Sequence, residues 1–383
     1  MILVAVAAMG WCDTVTVNGI TCGIAADGTA AVVLGDEFYR GDVVVPSSVD
    51  GHTVTAVGRA AFNGCHGLRS ITLPETVTRI DDYAFSGCDS LTAVQIPSSV
   101  TRIGDHAFAR CTRLTSLVVP DAVEALGDYA FFGCDKVTEV TIGKGLRQLG
   151  YRVFHNCKML QSIVVDEENP QFVSDQGDLY DASMTTLLVA PRRHVNRRDF
   201  VIPDGVRYVA PYAYCNASLT RTLTLPEGLL TIGESAFAGA TTITTLTLPA
   251  SLWSIGTEAL DGCTALAQVH CLSQQPIALS EFSSPFGYLT DLSRRTLYVP
   301  RGSLMAYRQS PVWQLFGSIV EEGFDRGDVN GDGEVGVADV TLLVDIVMGN
   351  PATDETRNRA DVNGDGEVGV ADITSLVAIL MNE

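Results

Sequence analysis

A period of 23 residues constrains this chain more than any other feature of its sequence. The motif Ala-Phe-x-x-Cys begins at Ala61, Ala84, Ala107 and Ala130, and each copy starts 23 residues after the previous one. Val153-Phe154 with Cys157 continues the series. A repeat of roughly 20–50 residues is the signature of a solenoid, whose units pack only against their neighbours. The sequence therefore predicts a stack of similar coils.

Prolines keep the same period and show where it is interrupted. They occupy Pro74, Pro97 and Pro120, and Gly143 takes the next proline position. After an interruption the period resumes at Pro203, Pro226 and Pro249, with matching turns at Ala213-Tyr214, Ala236-Phe237 and Ala259-Leu260.

Each unit has the pattern of one solenoid coil. The segment 91–96 ends in alternating apolar and polar residues, which indicates a strand, and Pro97 ends that strand because proline cannot donate to a ladder. A second short extended piece, 100–104, precedes a tight turn that holds Ala107 and Phe108. One coil cannot bury its own apolar face, so stacked coils should align their Phe and Leu side chains in internal columns.

These units resemble the BspA-type leucine-rich repeats of bacterial surface proteins, whose consensus runs L-x-x-I-x-I-P-x-x-V-x-x-I-G-x-x-A-F-x-x-C. Eight units between Gly58 and Leu272 carry the pattern. The resemblance implies a mainly β solenoid over 12–322, with an N-terminal cap at 12–57, repeats at 58–272 and a C-terminal cap at 273–322.

Residues 166–203 break the period, since Asp166 to Pro203 spans 14 residues more than one unit. Within this insertion, 179–188 has the pattern of a hairpin, two apolar strands around a polar turn. The family often carries such a hairpin. The segment 192–198 (Arg192, Arg193, His194, Arg197 and Arg198 among its residues) is either a binding site for an anionic glycan or acidic partner, or a solvated loop.

The ten cysteines would suggest disulfides in a secreted chain, but the repeat argues against that reading. Six of them share one repeat position, where two other units have Ala217 and Ala240: Cys65, Cys88, Cys111, Cys134, Cys157 and Cys263. A position that accepts Cys or Ala requires a small apolar group, so we expect a column of buried, reduced thiols. Cys12 and Cys22 lie outside this column and could pair with each other.

The apolar segment 1–10 resembles the hydrophobic part of a signal peptide without its basic start. We expect residues 1–11 to be the remnant of a signal peptide, cleaved near Gly10 or Trp11, so that the protein is secreted. A buried N-terminal strand is the alternative. No other apolar run reaches the ~18 residues that a membrane span needs.

The formal charge of −20 is concentrated at the C-terminal end, where residues 324–383 carry 13 acidic residues and 3 arginines. A chain this acidic repels a phosphate backbone, which makes nucleic acid an unsuitable partner. Dense carboxylate in a short segment indicates a bound cation instead.

Two identical twelve-residue segments in this region have the spacing of calcium loops. Residues 328–339 recur unchanged as 361–372. Calcium takes oxygen ligands from loop positions 1, 3, 5 and 12 and from the carbonyl at position 7, and position 6 is glycine. We therefore predict two Ca²⁺ ions, held by Asp328, Asn330, Asp332, Glu334 and Asp339, and by Asp361, Asn363, Asp365, Glu367 and Asp372.

Apolar periodicity predicts a helix after each loop, at 339–348 and 372–381. Two loop–helix units with Asp at position 12 resemble a type I dockerin, which implies a small α-helical module over 324–383 and a cohesin-like protein partner. Loop positions 10 and 11, which carry Ser-Thr in typical recognition pairs, are Val337-Ala338 and Val370-Ala371 here. The short stretch 321–327 places this module close to the solenoid cap.

No catalytic constellation accompanies these modules in the sequence. The six histidines share no metal or triad spacing, and no Gly-x-Ser-x-Gly occurs. The outward strand positions, expected on a concave sheet, are rich in hydroxyl groups with few acids and no aromatic patch: Ser70, Thr72, Gln95, Ser116, Glu139, Thr141, Ser162, Thr222, Thr224, Thr245 and Thr247. They form either a recognition surface or ordinary solvent-facing strand positions.

The resulting prediction is a secreted or surface-attached binding protein, not an enzyme. Its solenoid would recognise a protein or a glycan, and its C-terminal module would attach it to a cohesin-like partner. Two alternatives remain. The chain could belong to a polysaccharide-degrading assembly whose glycoside hydrolase lies in another chain, or it could be a structural spacer.

Overall fold

The computed structural model describes residues 11–17, 19–25, 30–32, 39–191, 198–279, 284–287, 290–322, 327–332, 334–363 and 366–381. The first strands are β1 Trp11–Val17, β2 Ile20–Ala25, β3 Ala30–Val32, β4 Arg40–Val44, β5 Ser48–Val49, β6 His52–Val57, β7 Gly67–Thr72, β8 Arg79–Ile80, β9 Ala93–Gln95, β10 Arg102–Ile103, β11 Ser116–Val119, β12 Ala125–Leu126, β13 Glu139–Ile142, β14 Gln148–Leu149 and β15 Ser162–Val165. The next are β16 Phe172–Asp175, β17 Asp178–Asp181, β18 Thr186–Val189, β19 Asp199–Val201, β20 Tyr208–Val209, β21 Thr222–Thr224, β22 Thr231–Ile232, β23 Thr245–Leu248, β24 Ser254–Ile255, β25 Gln268–Cys271, β26 Thr296–Pro300 and β27 Ser318–Glu322. The helices are α1 Leu304–Arg308, α2 Val337–Val347, α3 Asp354–Ala360 and α4 Val370–Met381, with 3₁₀ turns at Leu292–Arg294 and Trp313–Leu315.

Two parallel ladders run along the repeats. The longer first strands pair in register, as in Ser116 with Glu139 and Glu139 with Ser162. The shorter second strands pair likewise, as in Ile80 with Ile103. Each residue therefore pairs with the residue one period later. This register confirms the predicted solenoid.

The turns also form a ladder, although each contains a residue in the left-handed region. Tyr83, His106 and Tyr129 have φ of 60°, 53° and 55°. That conformation costs roughly 1–2 kcal/mol for a residue with a side chain. Amide-to-carbonyl hydrogen bonds between coils, such as Phe108 N to Ala130 O at 2.8 Å, offset the cost.

The consensus glycine lies where adjacent coils approach each other closely. A Cβ atom at Gly127 would collide with the backbone of Asp105 in the preceding coil. A larger residue there would force the coils apart and weaken the hydrogen bonds between them.

The core contains the predicted aromatic column. Phe62, Phe85, Phe108 and Phe131 are fully buried, and their rings stack with centroids 5.2, 5.0 and 5.3 Å apart. Phe154 extends the stack at 6.0 Å. Each ring thus buries its two faces against the rings of the neighbouring coils.

The cysteine column is buried and reduced, as predicted, but its side chains do more than fill space. The thiols of Cys88, Cys111 and Cys134 donate to the carbonyls of Phe62, Phe85 and Phe108 at 3.1, 3.2 and 3.3 Å. Burial raises the pKa of the Cys111 thiol to about 12, which keeps the proton on sulfur. These weak hydrogen bonds explain why this position favours Cys, while Ala217 and Ala240 satisfy only its requirement for small size.

The insertion forms the predicted hairpin and adds a third strand. β17 pairs antiparallel with both β16 and β18, and β18 then joins the short-strand ladder through β20. Leu179 packs in the core of the N-terminal repeats and Tyr180 in the core of the C-terminal repeats, so two apolar cores meet here. Of the basic segment 192–198, only Arg198 belongs to the described residues, where it is exposed.

Both ends of the solenoid are closed by non-repeat structure. At the N-terminal end β1, β2 and β3 form an antiparallel sheet that continues into β6. Trp11 lies in β1, whereas the rest of the proposed signal remnant, 1–10, lies outside the described residues. Cys22 is a buried free thiol, and the side chain of Cys12 is likewise outside the description. At the other end Trp313 is buried and donates to Ile277 O at 2.8 Å.

Phe108→Ala should lower the free energy of unfolding by about 3–5 kcal/mol, because it removes a fully buried ring that packs against two others. Urea denaturation, monitored by circular dichroism, measures this change in the free energy of unfolding. The control is Val118→Ala on the exposed strand face, which should change stability by less than about 0.5 kcal/mol. Equal effects of the two substitutions would show that the ring column does not stabilise the solenoid.

Candidate metal centre in the C-terminal module

The C-terminal module consists of two loop–helix units around a small core. The helices α2 and α4 confirm the two predicted helices and begin two residues earlier, at Val337 and Val370. α3, which precedes the second loop, was not expected. Val329 and Val362, at position 2 of each loop, are buried with Leu343 and Leu376. These apolar contacts fix the loops to the helices.

The aspartate at loop position 12 closes each loop and begins its helix. Asp339 accepts hydrogen bonds from Asn330 N at 2.9 Å and Gly336 N at 2.8 Å. Asp372 accepts equivalent bonds from Asn363 N at 3.1 Å and Gly369 N at 2.8 Å. Both carboxylates are buried, and each lies in the first turn of a helix, where negative charge is favoured.

The remaining side chains of the first loop turn their oxygens towards its backbone amides. Asp328 accepts from Gly331 N, Asn330 from Asp332 N and Asp332 from Glu334 N, at 2.7, 2.7 and 2.9 Å. The amide of Glu334 and the side chain of Asn330 hold the pKa of Asp332 below its usual value. The side-chain oxygens of positions 1, 3 and 5 therefore all act as hydrogen-bond acceptors within one short loop.

In the described part of the second loop the position 1 carboxylate accepts from the amide of position 6, whereas in the first loop it accepts from the amide of position 4. Asp361 accepts from Gly366 N at 3.0 Å, and Gly366 has the left-handed φ of 89° that the sharp turn at position 6 requires. Asp365 and Gly333 lie outside the described residues.

The donor chemistry of both loops fits calcium. Asp328, Asp339 and Asp372 are buried carboxylates, and buried charge requires a compensating cation or strong donors. All candidate ligands are hard oxygens, which calcium prefers. Among the described residues, no three His, Cys, Asp or Glu side chains converge closely enough to hold a metal ion. Like-charged carboxylates approach one another only around a cation, and Asn330, Asn363 and the position 7 carbonyls complete the predicted set. The individual ligands therefore stay predictions.

An arginine of the solenoid cap contacts the first loop. Arg301 donates through Nη2 to Asp328 Oδ2 at 2.9 Å and to Gly331 O at 2.7 Å. The Asp328 side chain is only 2% exposed, so its charge is strongly desolvated. The short segment after Glu321 predicted that the module lies close to the solenoid cap. No feature of the sequence predicted that Arg301 makes the contact.

The predicted recognition residues are on the surface. Val337 is 78% exposed and Val370 is 70% exposed, and Ala338 and Ala371 are exposed too. The structure also shows that each pair begins an exposed apolar stripe along its helix. The first stripe is Val337 and Val344 on α2 with Met348 directly after its last residue, and the second is Val370, Val377 and Met381 on α4. Exposed apolar patches of this kind mark interaction sites.

The outward face of the long-strand ladder is less uniform than predicted. Its predicted hydroxyl rows are present, but Val44, Val118, Val164 and Val201 are exposed among them. The expectation of a face without aromatic groups was wrong at its C-terminal end. There the rings of His270 and Tyr298 stack at 4.4 Å, and His270 hydrogen-bonds Glu322. Strand pairing brings these residues together, although no repeat motif relates them.

Residues 44–174 and 193–290 match the family described as BspA type leucine rich repeat region, in six copies. The chain belongs to the BspA-type leucine-rich repeat family. Residues 326–381 match the dockerin type I domain, so this BspA-type chain combines the repeats with a dockerin module. Both are modules that bind and assemble, and type I dockerins bind calcium. Proteins with these modules are typically extracellular or surface-bound.

Three solved structures are similar to the BspA-type solenoid. The pneumococcal vaccine antigen PcpA is 18% identical over 82% of this chain and 99% of its own, with a TM-score of 0.56. A leucine-rich repeat protein from Bacteroides ovatus is 21% identical over 80% and 76%, with a TM-score of 0.57. A third, from Eubacterium ventriosum, is 20% identical over 80% and 85%, with a TM-score of 0.53. At these identities the likeness shows the fold alone.

No curated protein sequence matches the chain significantly. Within the described ranges, none of the helices has the length and apolar character needed to cross a membrane.

Arg301→Ala should lower the free energy of unfolding of the calcium-loaded dockerin module by about 1 kcal/mol. The substitution removes two charge-assisted hydrogen bonds, and their value is reduced because the Arg301 side chain is 40% exposed. Calorimetry of the full chain measures the module's transition. Arg308→Ala, an exposed arginine in the same cap, is the control. An identical transition in both variants would show that the contact does not hold the module.

Proposed function

We propose that this protein is a secreted or surface-attached adhesion protein that does not catalyse a reaction itself. Its solenoid recognises a protein or glycan ligand, and its dockerin module binds two calcium ions and attaches the chain to a cohesin-like partner. The observation that carries this proposal is the pair of identical loops, each followed by a helix with an exposed apolar stripe.

Calcium is proposed to organise the attachment surface. Each ion would supply the positive charge that lets the loop carboxylates approach one another. The position 12 aspartate connects each calcium loop to the helix that follows it. In the first unit it accepts from Asn330 N and lies in the first turn of α2, and in the second it accepts from Asn363 N and lies in the first turn of α4. A change in either loop would therefore move the start of the helix that presents Val337 or Val370.

The apolar stripes are the proposed partner surface. Dockerins bind cohesins in the families that this module resembles, and their typical recognition pair is Ser-Thr. Val337-Ala338 and Val370-Ala371 would instead require an apolar partner surface, because a buried hydroxyl or charge opposite them would lose its hydrogen bonds. The two stripes occupy matching positions of their helices, 33 residues apart in sequence. A partner could therefore bind either stripe, with the module rotated by half a turn between the two orientations.

The long-strand face is the proposed ligand surface of the solenoid. Hydroxyl groups suit hydrogen bonding to a glycan or a peptide, and the exposed valines add apolar contact area. The alternative function, membership of a polysaccharide-degrading assembly with a hydrolase in another chain, rests on the dockerin module. In both functions, adhesion and membership of a degrading assembly, the dockerin module attaches the chain to a cohesin-like partner. They differ only in which other proteins that partner carries.

Calorimetric titration of the full chain with calcium should show two bound ions. Asp339→Ala and Asp372→Ala should each remove one, because each opens one loop at its closing carboxylate. Asp345→Ala, an exposed acid on α2, should leave both. Chelation should unfold the module and leave the solenoid folded, as hydrogen exchange would report. One ion or none in the unmodified chain would contradict the proposal.

Charging one recognition pair, as in Val337→Asp with Ala338→Asp, should leave partner binding largely intact, since the other stripe stays available. Charging both pairs should abolish binding, because unpaired carboxylates would enter an apolar interface. A calcium-dependent pull-down against a panel of cohesins measures this, with Arg357→Asp, at an exposed position of α3 outside both stripes, as the control. Complete loss with a single charged pair would exclude docking in two orientations, and the absence of any calcium-dependent partner would exclude the attachment role.

A further inference from the structure

The insertion opens a cavity in the ladder of turns. In regular coils the turn amide donates to the next turn, as Phe131 N does to Val153 O at 3.1 Å. At the insertion Ala190 N takes over this role and donates to Ala213 O at 2.7 Å. The insertion supplies an extended segment here instead of a turn, which leaves a cavity of about 230 Å³ between the flanking turns.

A thiol and an imidazole meet in this cavity from turns 60 residues apart. Cys215 Sγ lies 3.3 Å from His155 Nδ1. Asn216 Nδ2 donates to the same sulfur at 3.6 Å. A neighbouring imidazole that can take the thiol proton, together with a donor to sulfur, is the arrangement that activates a cysteine as a nucleophile.

Cys215 differs from the other described cysteines. The column position in its turn is Ala217, so Cys215 lies two residues outside the buried column. Among the cysteines whose side chains the structure describes, it is the one that is only half-buried, whereas the other eight are buried. Burial raises the pKa of the Cys157 thiol to about 12, and Cys157 donates to a carbonyl instead of facing a base. Accessibility and a basic neighbour thus coincide at Cys215.

The walls of the cavity favour a small anionic molecule. Arg152 lies over the ring of Tyr212, with its guanidinium carbon 3.2 Å from the ring centroid, and 5.1 Å from that of Tyr151. Its Nε is buried and has no hydrogen-bond acceptor among the described residues. The nearest acid, Glu234, is 4.0 Å from Nη2. Because the Arg152 side chain is 21% exposed, a carboxylate entering the cavity could pair with the accessible edge of its guanidinium, while the aromatic walls would contact the apolar part of the molecule.

We propose that this cavity is a thiol-exchange site, at which Cys215 reacts with small disulfides that carry a carboxylate. His155 takes the thiol proton, and the Cys215 thiolate attacks one sulfur of the disulfide. A new bond forms between Cys215 and that sulfur while the original S–S bond breaks. The departing thiolate takes the proton from His155. Cys215 is oxidised to a mixed disulfide, and half of the small disulfide is reduced to a thiol.

The test uses the folded full chain and 5,5′-dithiobis(2-nitrobenzoate), an aromatic disulfide with carboxylates. About one equivalent of thiolate should be released rapidly, and at least six after denaturation. Cys215→Ser should abolish the rapid phase, while Cys111→Ser, in the buried column, should keep it. A rapid phase that survives Cys215→Ser, or no rapid phase in the unmodified chain, would overturn the proposal.

Two further variants separate an activated thiol from a merely accessible one. His155→Gln should slow the rapid phase at least about tenfold at neutral pH and shift its pH profile to higher pH, because the base is lost. Arg152→Gln should slow the reaction with the anionic disulfide but not with neutral 4,4′-dithiodipyridine. Thermal melting should confirm that both variants are folded. An unchanged rate and pH profile in folded His155→Gln would show that Cys215 is only exposed.

Discussion

The structure depends on contacts between equivalent residues of adjacent coils. A single coil exposes its Phe ring, its thiol and its turn amides. In the stack, the ring of Phe108 is covered by the rings of Phe85 and Phe131. Its backbone N–H donates a hydrogen bond to Ala130 O, and its carbonyl oxygen accepts one from the Cys134 thiol. All these contacts reach one coil forward or back. The left-handed turn residues and the close approach at Gly127 are tolerated because the neighbouring coil compensates for them.

The same dependence explains why the insertion has such local consequences. Replacing one turn by an extended segment removes the neighbour that the flanking turns would normally pack against. The apolar core divides between Leu179 and Tyr180, and a cavity opens on the turn side, where Cys215 and His155 face each other. The strand ladders continue through β18 and β20, so the solenoid keeps its direction while its turn column is interrupted.

The dockerin module is stabilised differently from the repeats. Hydrogen bonds between residues close in sequence take the place of stacking between distant coils. Asp339 and Asp372 each hold one loop closed and lie in the first turn of one helix, so a single residue connects each loop to the helix that follows it. Arg301 adds a contact from the solenoid to Asp328. The repeats thus form the stacked body of the protein, and the dockerin module adds its most acidic segment.

The sequence alone determined the coil register, the aromatic and thiol columns, the hairpin and the two loops with their helices. These features depend on residues separated by a fixed period or by a few positions, so a pattern in the chain is sufficient to find them. The tertiary structure decided the rest. Arg301 and Asp328 are 27 residues apart, and Cys215 and His155 are 60 apart, with no period that relates either pair. Their contacts exist only because the cap and the insertion set the path of the chain. Likewise, the exposure of Val344 and Met348 follows from which face of α2 packs on the core, and this face is fixed by folding of the whole module.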